Sequence, residues 1–166
     1  MVPRVFLIAA LIAGLVPSAF AQLSNTDKTF VLTAAEANNY QIKAALLATK
    51  DSGNPLYRQY ALTIANDQTE AAGELESTVA DQNPPLQLPS GLSPVEQQRL
   101  NALRHASSRF DTMFRNQMIA TVTASIRLYQ SYIGQPDANP DIQKMAQSML
   151  PTFQKYLEDA QALPVG

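Results

Sequence analysis

Four positions near the middle of the chain's apolar helical stripes could carry chemistry: Gln41, Gln68, Val122 and Tyr156. Metal sites in helical bundles use inward carboxylates and Glu-x-x-His pairs on facing helices. The chain has one His, no Cys and no Glu-x-x-His motif. Amides, a phenol and an aliphatic side chain are poor ligands for divalent metals, so these residue types argue against a metal site.

The polar members of this set, with the neighbouring Asp67, predict a polar layer across the middle of a bundle. Gln41, Asp67, Gln68 and Tyr156 are its candidate residues. The layer could hydrogen-bond internally and fix the register of the helices, or it could line a polar pocket. The first interpretation is favoured because uncharged amides and a phenol suit mutual hydrogen bonding better than ligation.

The remaining ionisable candidates are better explained without catalysis. A lone carboxylate holds a divalent cation weakly, so we expect Asp67 to form an ion pair with Arg104 or Arg109. His105 lies near the end of a short predicted helix, where a partly exposed His interacts favourably with the helix terminus. No G-x-S-x-G nucleophile motif is present. We therefore predict no catalytic residue and expect that the protein is not an enzyme.

Sulfur chemistry is also limited by the composition. Four methionines on two predicted helices could form a soft-metal thioether site, but their spacing fits core gap-filling better: Met113, Met118, Met145 and Met149. The absence of Cys excludes thiol chemistry, iron–sulfur ligation and Cys-linked haem. We predict no metal ligands and no cofactor.

The elements that would position these residues are all helices. Capping residues and apolar periodicity predict helices over about 27–50, 55–80, 94–106, 109–133 and 140–161. The predicted caps are Ser24 to Asp27, Asn54 before Pro55, Ser93 with Glu96, Ser108 with Asp111, and Asn139 before Pro140. No hairpin signal interrupts them, so the sequence indicates an all-α fold.

The connection lengths indicate how the helices are arranged. Short links join the first two and the last two long helices, so each pair should be an antiparallel hairpin, and a link over 81–107 joins the hairpins. One long crossover with a short extra helix is the ferritin-like four-helix arrangement, and a plain up-down-up-down bundle is the alternative. The segment from Pro84 to Pro89 could dock a protein partner, or Leu86 and Leu88 could cover the open side of the core.

The N-terminal residues predict export. Arg4, an apolar run from Val5 to Val16 and the small-x-small site Ala19 to Ala21 have the pattern of a signal peptide over residues 1–21. Cleavage after Ala21 would leave a single helical domain over 22–166 with no membrane anchor, in a bacterial periplasm or secreted. The formal charge is −2 before cleavage, without a basic cluster, which argues against nucleic acid as a partner. The sequence names no partner.

Three stretches resemble a known family: the ten residues from Tyr60 to Thr69, Phe110-Asp111 with Phe114, and the nine residues from Met149 to Leu157. Together they resemble an exported, ferritin-like bacterial family, domain of unknown function 4142. The resemblance implies an acidic residue on the first helix and a histidine on each later long helix. Here Gln41, Gln68, Val122 and Tyr156 take those places, so the chain resembles a divergent member with a degenerate metal site. The alternative that the resemblance implies is a metal-binding or stress-related protein that stores or oxidises iron.

Overall fold

Side-chain caps begin four of the five α-helices that the described residues form, as local hydrogen bonding in the sequence predicts. The Oγ of Ser24 accepts from the backbone of Asp27, and Ser93 accepts in the same way from Glu96; both pairs are reciprocal capping boxes. The side chains of Asn54 and Asn139 accept from backbone N–H groups in the first turn of their helices, and Pro follows each of them. The capping chemistry predicted for these four helices is confirmed.

The computed structural model describes residues 22–80 and 85–165. Within them the chain forms α1 (Asn25–Asp51), α2 (Pro55–Val79), α3 (Pro94–Arg104), a 3₁₀ turn (Ser107–Arg109), α4 (Phe110–Ile133) and α5 (Pro140–Ala162). These described residues contain no strand, so the all-α class is confirmed. The predicted signal peptide, with Ala19 and Ala21, lies outside the described residues.

The start of α4 differs from the prediction. Ser108 does not cap this helix, because it lies inside the 3₁₀ turn; Arg109 takes the capping position and makes no side-chain capping bond. Ser107 has a φ of 49°, the left-handed region that few residues other than Gly adopt. The predicted capping box between Ser108 and Asp111 is therefore wrong, and a tight turn separates α3 from α4 in its place.

The four long helices form a ring in which neighbours pack against each other. α1 packs on α2, α2 on α5, α5 on α4, and α4 on α1, while α3 lies against α1 and α4. Asp27 at the start of α1 bonds Tyr132 near the end of α4, and Tyr57 at the start of α2 bonds the carbonyl of Pro164 just beyond α5. Both pairs of helices are thus antiparallel. Since a short turn also makes α1 and α2 antiparallel, α2 and α4 run in the same direction.

The segment between α2 and α3 has no regular structure over its described part, residues 85–93. Leu86 and Leu88 pack against the core cluster, which confirms that they cover its open side. The side-chain amide of Asn39 on α1 donates to the carbonyl of Pro89 at 2.6 Å and fastens the segment to the bundle. None of the helices in the described residues is long and apolar enough to cross a membrane.

Aromatic side chains fill much of the core. Phe30 stacks on Tyr132 with ring centroids 4.0 Å apart, and Tyr129 meets the edges of both Phe30 and Phe153. Alanines on α1 leave room for these rings, since Ala44, Ala45 and Ala48 are fully buried. Two of the four methionines, Met118 and Met145, belong to the buried core, and the other two pack against it, as the gap-filling interpretation predicts.

The buried carboxylate of Asp27 joins the start of α1 to the turn between α4 and α5. Oδ1 of Asp27 accepts from the Tyr132 hydroxyl at 2.5 Å and from the backbone N–H of Asn139 at 2.8 Å. Its Oδ2 accepts from the backbone and the hydroxyl of Ser24, each at 2.9 Å. Burial raises the pKa of Asp27, but the hydrogen bonds from Tyr132, Asn139 and Ser24 outweigh it and hold that pKa below its usual value. Asp27 therefore both caps α1 and joins it to the α4–α5 turn.

Candidate functional site

The α2–α5 half of the predicted polar layer centres on a phenol. The hydroxyl of Tyr156 donates to Oδ2 of Asp67 at 2.9 Å, and the hydroxyl of Tyr60 donates to the backbone carbonyl of Tyr156 at 3.2 Å. Burial, followed by the hydrogen bond to Asp67 and its negative charge, raises the pKa of Tyr156 well above its usual value. Gln68 is buried beside this phenol, and its amide lowers the pKa of Tyr156 in part, although the Nε2 is too poorly aligned to form a full hydrogen bond.

The α1–α4 half is more weakly bonded. Nε2 of Gln41 donates to the carbonyl of Ala37 at 3.4 Å and to the Ser125 hydroxyl at 3.5 Å, both at the long limit of a hydrogen bond. Its Oε1 is buried without a partner. Val122, one turn before Ser125, is fully buried. Among the described residues no hydrogen bond joins Gln41 to Gln68 or Tyr156, so the structure shows two polar clusters rather than one continuous layer.

The predicted ion pair of Asp67 is wrong. Asp67 accepts from Tyr156 on the α2–α5 side of the ring, whereas Arg104 ends α3 and Arg109 precedes α4. Because α3 lies against α1 and α4, both guanidinium groups belong to the opposite side of the bundle. Over residues 22–80 and 85–165 the one ion pair within 4 Å is between Lys155 and Asp159, which are exposed neighbours on α5.

The chemistry available to these two clusters is limited. Gln41, Gln68 and Val122 cannot ionise, and Asp67, the partner of Tyr156, is the one carboxylate of the described residues that hydrogen-bonds either cluster. A cavity of about 230 Å³ beside Asp67 also meets the side chains of Glu70 and Glu74, which come from the same helix. Even so, no three carboxylate or imidazole groups of the described residues are close enough to hold a metal ion. The donor set present does not fit a divalent metal.

The other candidate from the sequence is a surface residue. His105 forms the C-terminal cap of α3, and its Nδ1 lies 2.7 Å from the carbonyl of Asn101. Its ring is exposed, and this carbonyl is its one side-chain hydrogen-bond partner among the described residues. This placement agrees with the helix-terminus interpretation.

Two further polar clusters, outside the mid-bundle positions, were not expected from the sequence. One is the Asp27 cluster described above. In the other, the Tyr40 hydroxyl donates to Oε1 of Gln117 at 2.5 Å, and Arg99 lies over the Tyr40 ring with 4.2 Å between the guanidinium carbon and the ring centroid. The position of Tyr40 next to Gln41 on the first helix was a usable signal, but its partners come from α3 and α4, so no local spacing reveals them.

Comparison with known proteins gives a family. A family model described as Domain of unknown function (DUF4142) matches residues 15–163. The chain belongs to this family. No curated protein and no solved structure matches it. Because the description of this family names no activity, membership in it does not assign one to the DUF4142 chain.

Proposed function

We propose that this DUF4142 protein is an exported, periplasmic binding module without catalytic activity, built on a ferritin-like bundle whose mid-bundle site does not hold metal. The observation that carries the proposal is the burial of uncharged side chains at the four mid-bundle positions. Gln41 and Gln68 are each 1% exposed, Val122 is 0% exposed and Tyr156 is 2% exposed. A functional divalent site in their place would need several carboxylates or imidazoles.

The ferritin-like part of the proposal is supported by the order and direction of the helices. Adjacent helices in the ring are antiparallel, and the long connection joins α2 to α4, which run in the same direction. A plain up-down-up-down bundle would instead have opposite directions for these two helices. Export is supported by the N-terminal sequence pattern of a signal peptide.

Metal analysis tests the central claim. The purified protein is assayed for bound metal and melted with and without Fe(II), Mn(II) and Zn(II). We expect less than stoichiometric metal and no metal-dependent rise in melting temperature. An ion that binds only the folded state at one hundred times its Kd stabilises it by about 2.7 kcal/mol, roughly 5–10 °C for a domain of this size. Such a rise, or near-stoichiometric metal, would favour the iron-storing or iron-oxidising alternative.

A matched variant locates any metal effect. Asp67→Asn removes the single carboxylate of the mid-bundle clusters and retains its size, whereas Glu76→Gln changes an exposed carboxylate on the same helix. If metal stabilises the protein and only Asp67→Asn abolishes the effect, the mid-bundle region binds metal and the proposal is overturned.

Export is tested separately. The full-length chain is expressed in a bacterial host, and the mass of the periplasmic product is measured. We expect an N-terminus at Gln22, and we expect Ala21→Leu to block cleavage because the last residue before the site must be small. Retention of Met1 in the parent protein, or membrane pelleting that resists salt and carbonate, would contradict this part.

A further inference from the structure

A groove opens beside the junction of α3 and α4. It encloses about 710 Å³, within the range of sites that hold small organic ligands. Its lining combines the apolar side chains of Met113 and Ala120 on α4 with polar groups that include Gln117, Arg99 and Arg109. A binding site can have this volume and this mixed lining, and no residue of the mid-bundle clusters lines the groove.

Arg99 is held rigidly at the wall of this groove. Its Nη2 donates to the carbonyl of Gln117 at 3.2 Å and to the Thr121 hydroxyl at 2.7 Å, and its flat face covers the Tyr40 ring. Nε2 of Gln117 donates back to the carbonyl of Arg99 at 3.2 Å. These contacts fix the guanidinium before any ligand arrives, so binding to it costs little side-chain entropy.

The Arg99 guanidinium has N–H groups without an acceptor and no carboxylate partner within the described residues. No hydrogen bond within the described residues uses its Nε or Nη1, and no carboxylate there lies within 4 Å of it. A partly buried cation without an anionic partner loses hydration that only an anion restores in full. Both hydrogens of Nη2 are used, so the unused Nε–H and Nη1–H groups can each donate singly to an oxygen of a carboxylate or a sulfonate.

The charges around the groove favour a single negative charge on the ligand. Arg109 supplies a second guanidinium at the exposed rim, and Asp111 is the one acidic residue of the lining, so the net formal charge of the groove is positive. From the held Arg99, the second guanidinium and the apolar side chains of Met113 and Ala120 between polar groups, we infer that the groove binds a small organic anion with one carboxylate or sulfonate on an apolar body. This inference depends on the proposed binding function and names its site and ligand class.

The test uses anilinonaphthalene sulfonate, an apolar monoanion, and its uncharged analogue N-phenylnaphthylamine. The full chain is labelled at the methionine methyl groups with ¹³C and titrated with each probe. Met113 lines the groove, while Met118 on the same helix is 0% exposed and serves as an internal control. We expect the sulfonate to shift the Met113 methyl resonance saturably, to leave Met118 in place, and to bind about tenfold more tightly than the neutral probe.

Variants separate binding in the groove from a general effect of charge. Arg109→Gln removes a rim cation that makes no intramolecular hydrogen bond among the described residues, so the fold should survive, and affinity for the sulfonate should fall about fivefold to tenfold. Arg127→Gln removes an exposed charge from α4 away from the groove and should change affinity by less than about twofold. Ala120→Leu should lower the affinity for both probes, because the larger side chain fills part of the groove.

Several results would overturn the inference. They are a Met113 resonance that does not respond to the sulfonate, equal affinity for the two probes, or equal effects of Arg109→Gln and Arg127→Gln. None of these results concerns the mid-bundle clusters, which are tested by the metal analysis. Conversely, bound metal would overturn the proposed function and leave the groove titration unchanged, so the two failures are distinguishable.

Discussion

Replacing Asp27 by Asn should destabilise the protein more than any other single change of a charged side chain to its amide. The carboxylate accepts four hydrogen bonds, two at each oxygen, and it is buried. In the Asp27→Asn variant one of those oxygens becomes an NH₂ group. Whichever way the amide is turned, this NH₂ group then faces a backbone N–H, of Ser24 or of Asn139, that cannot accept, and a hydroxyl, of Ser24 or of Tyr132, that must turn to accept.

The magnitude follows from those lost bonds. A hydrogen bond to a charged group contributes about 1.5–3 kcal/mol to stability, and Asp27→Asn removes two of them while also removing the cost of burying a charge. We expect a net loss of about 3 kcal/mol in the free energy of unfolding at neutral pH. That corresponds to a fall of roughly 6–12 °C in melting temperature for a domain of this size.

Urea unfolding of the parent and the variant, followed by circular dichroism, measures this difference. Asp141→Asn is the matched control, because Asp141 also lies in the first turn of a helix but is exposed and accepts no hydrogen bond from another described residue. Its loss should not exceed about 0.5 kcal/mol, the scale of an exposed helix-dipole interaction.

The pH dependence gives a second check. The pKa of Asp27 is lowered in the folded state, so the carboxylate contributes stability above its unfolded pKa and loses that contribution as the pH falls through the folded pKa. The gap in unfolding free energy between parent and variant should therefore narrow between about pH 5 and pH 2. Equal losses in the two Asn variants, or a gap that stays constant in acid, would show that these hydrogen bonds do not stabilise the fold as described.

Three further predictions concern the core. Gln68→Met should raise the free energy of unfolding by about 1 kcal/mol in urea titrations, because it removes a buried Nε2 whose contact with Tyr156 is poorly aligned and it retains the volume; a loss of stability would mean that this contact satisfies the amide. Burial raises the pKa of all six tyrosines, that of Tyr40 to about 12; the unfolded chain therefore ionises first, and stability should fall as the pH rises above about 10, with the tyrosinate absorbance appearing only together with unfolding. The quadruple variant Gln41→Glu, Gln68→His, Val122→His and Tyr156→His should melt below the parent without metal and regain part of the loss with Zn(II). If it ignores Zn(II), these four positions do not face one another.

Local features of the fold were predictable from the sequence, and the partners of buried polar groups were not. Ser93 and Glu96 are three residues apart, so their capping box depends on nothing beyond one turn of chain. The partner of Asp67 depends on how α2 and α5 are rotated against each other, and the prediction chose an arginine that the fold places on the other side of the bundle. The capping motif at Ser108 failed for a related reason. Its spacing is correct, but the tight turn that follows α3 sets a backbone conformation in which Ser108 cannot cap.

The candidate sites also divide into those set by local sequence and those set by contacts between distant parts of the chain. The mid-bundle positions were predictable because apolar periodicity identifies the inward face of a helix. The groove beside Arg99 was not, since it arises where α3 crosses α4 and depends on contacts among α1, α3 and α4. The Asp27 cluster was recognised only as a cap, because its other partners, Tyr132 and Asn139, are more than a hundred residues away in the chain.

The parallel direction of α2 and α4 has a consequence for the order of folding. α1 with α2, and α4 with α5, form the most extensive helix contacts and are close in sequence, so each hairpin can assemble with little loop-closure entropy. Docking of the two hairpins requires the long connection to span the bundle from the end of α2 to the start of α4, which costs loop-closure entropy. Docking is therefore the late step. The hydrogen bonds from Tyr132 and Asn139 to Asp27 join the two hairpins, so their loss should accelerate unfolding and leave the folding rate nearly unchanged. Kinetic persistence of this bundle thus depends on its inter-hairpin contacts.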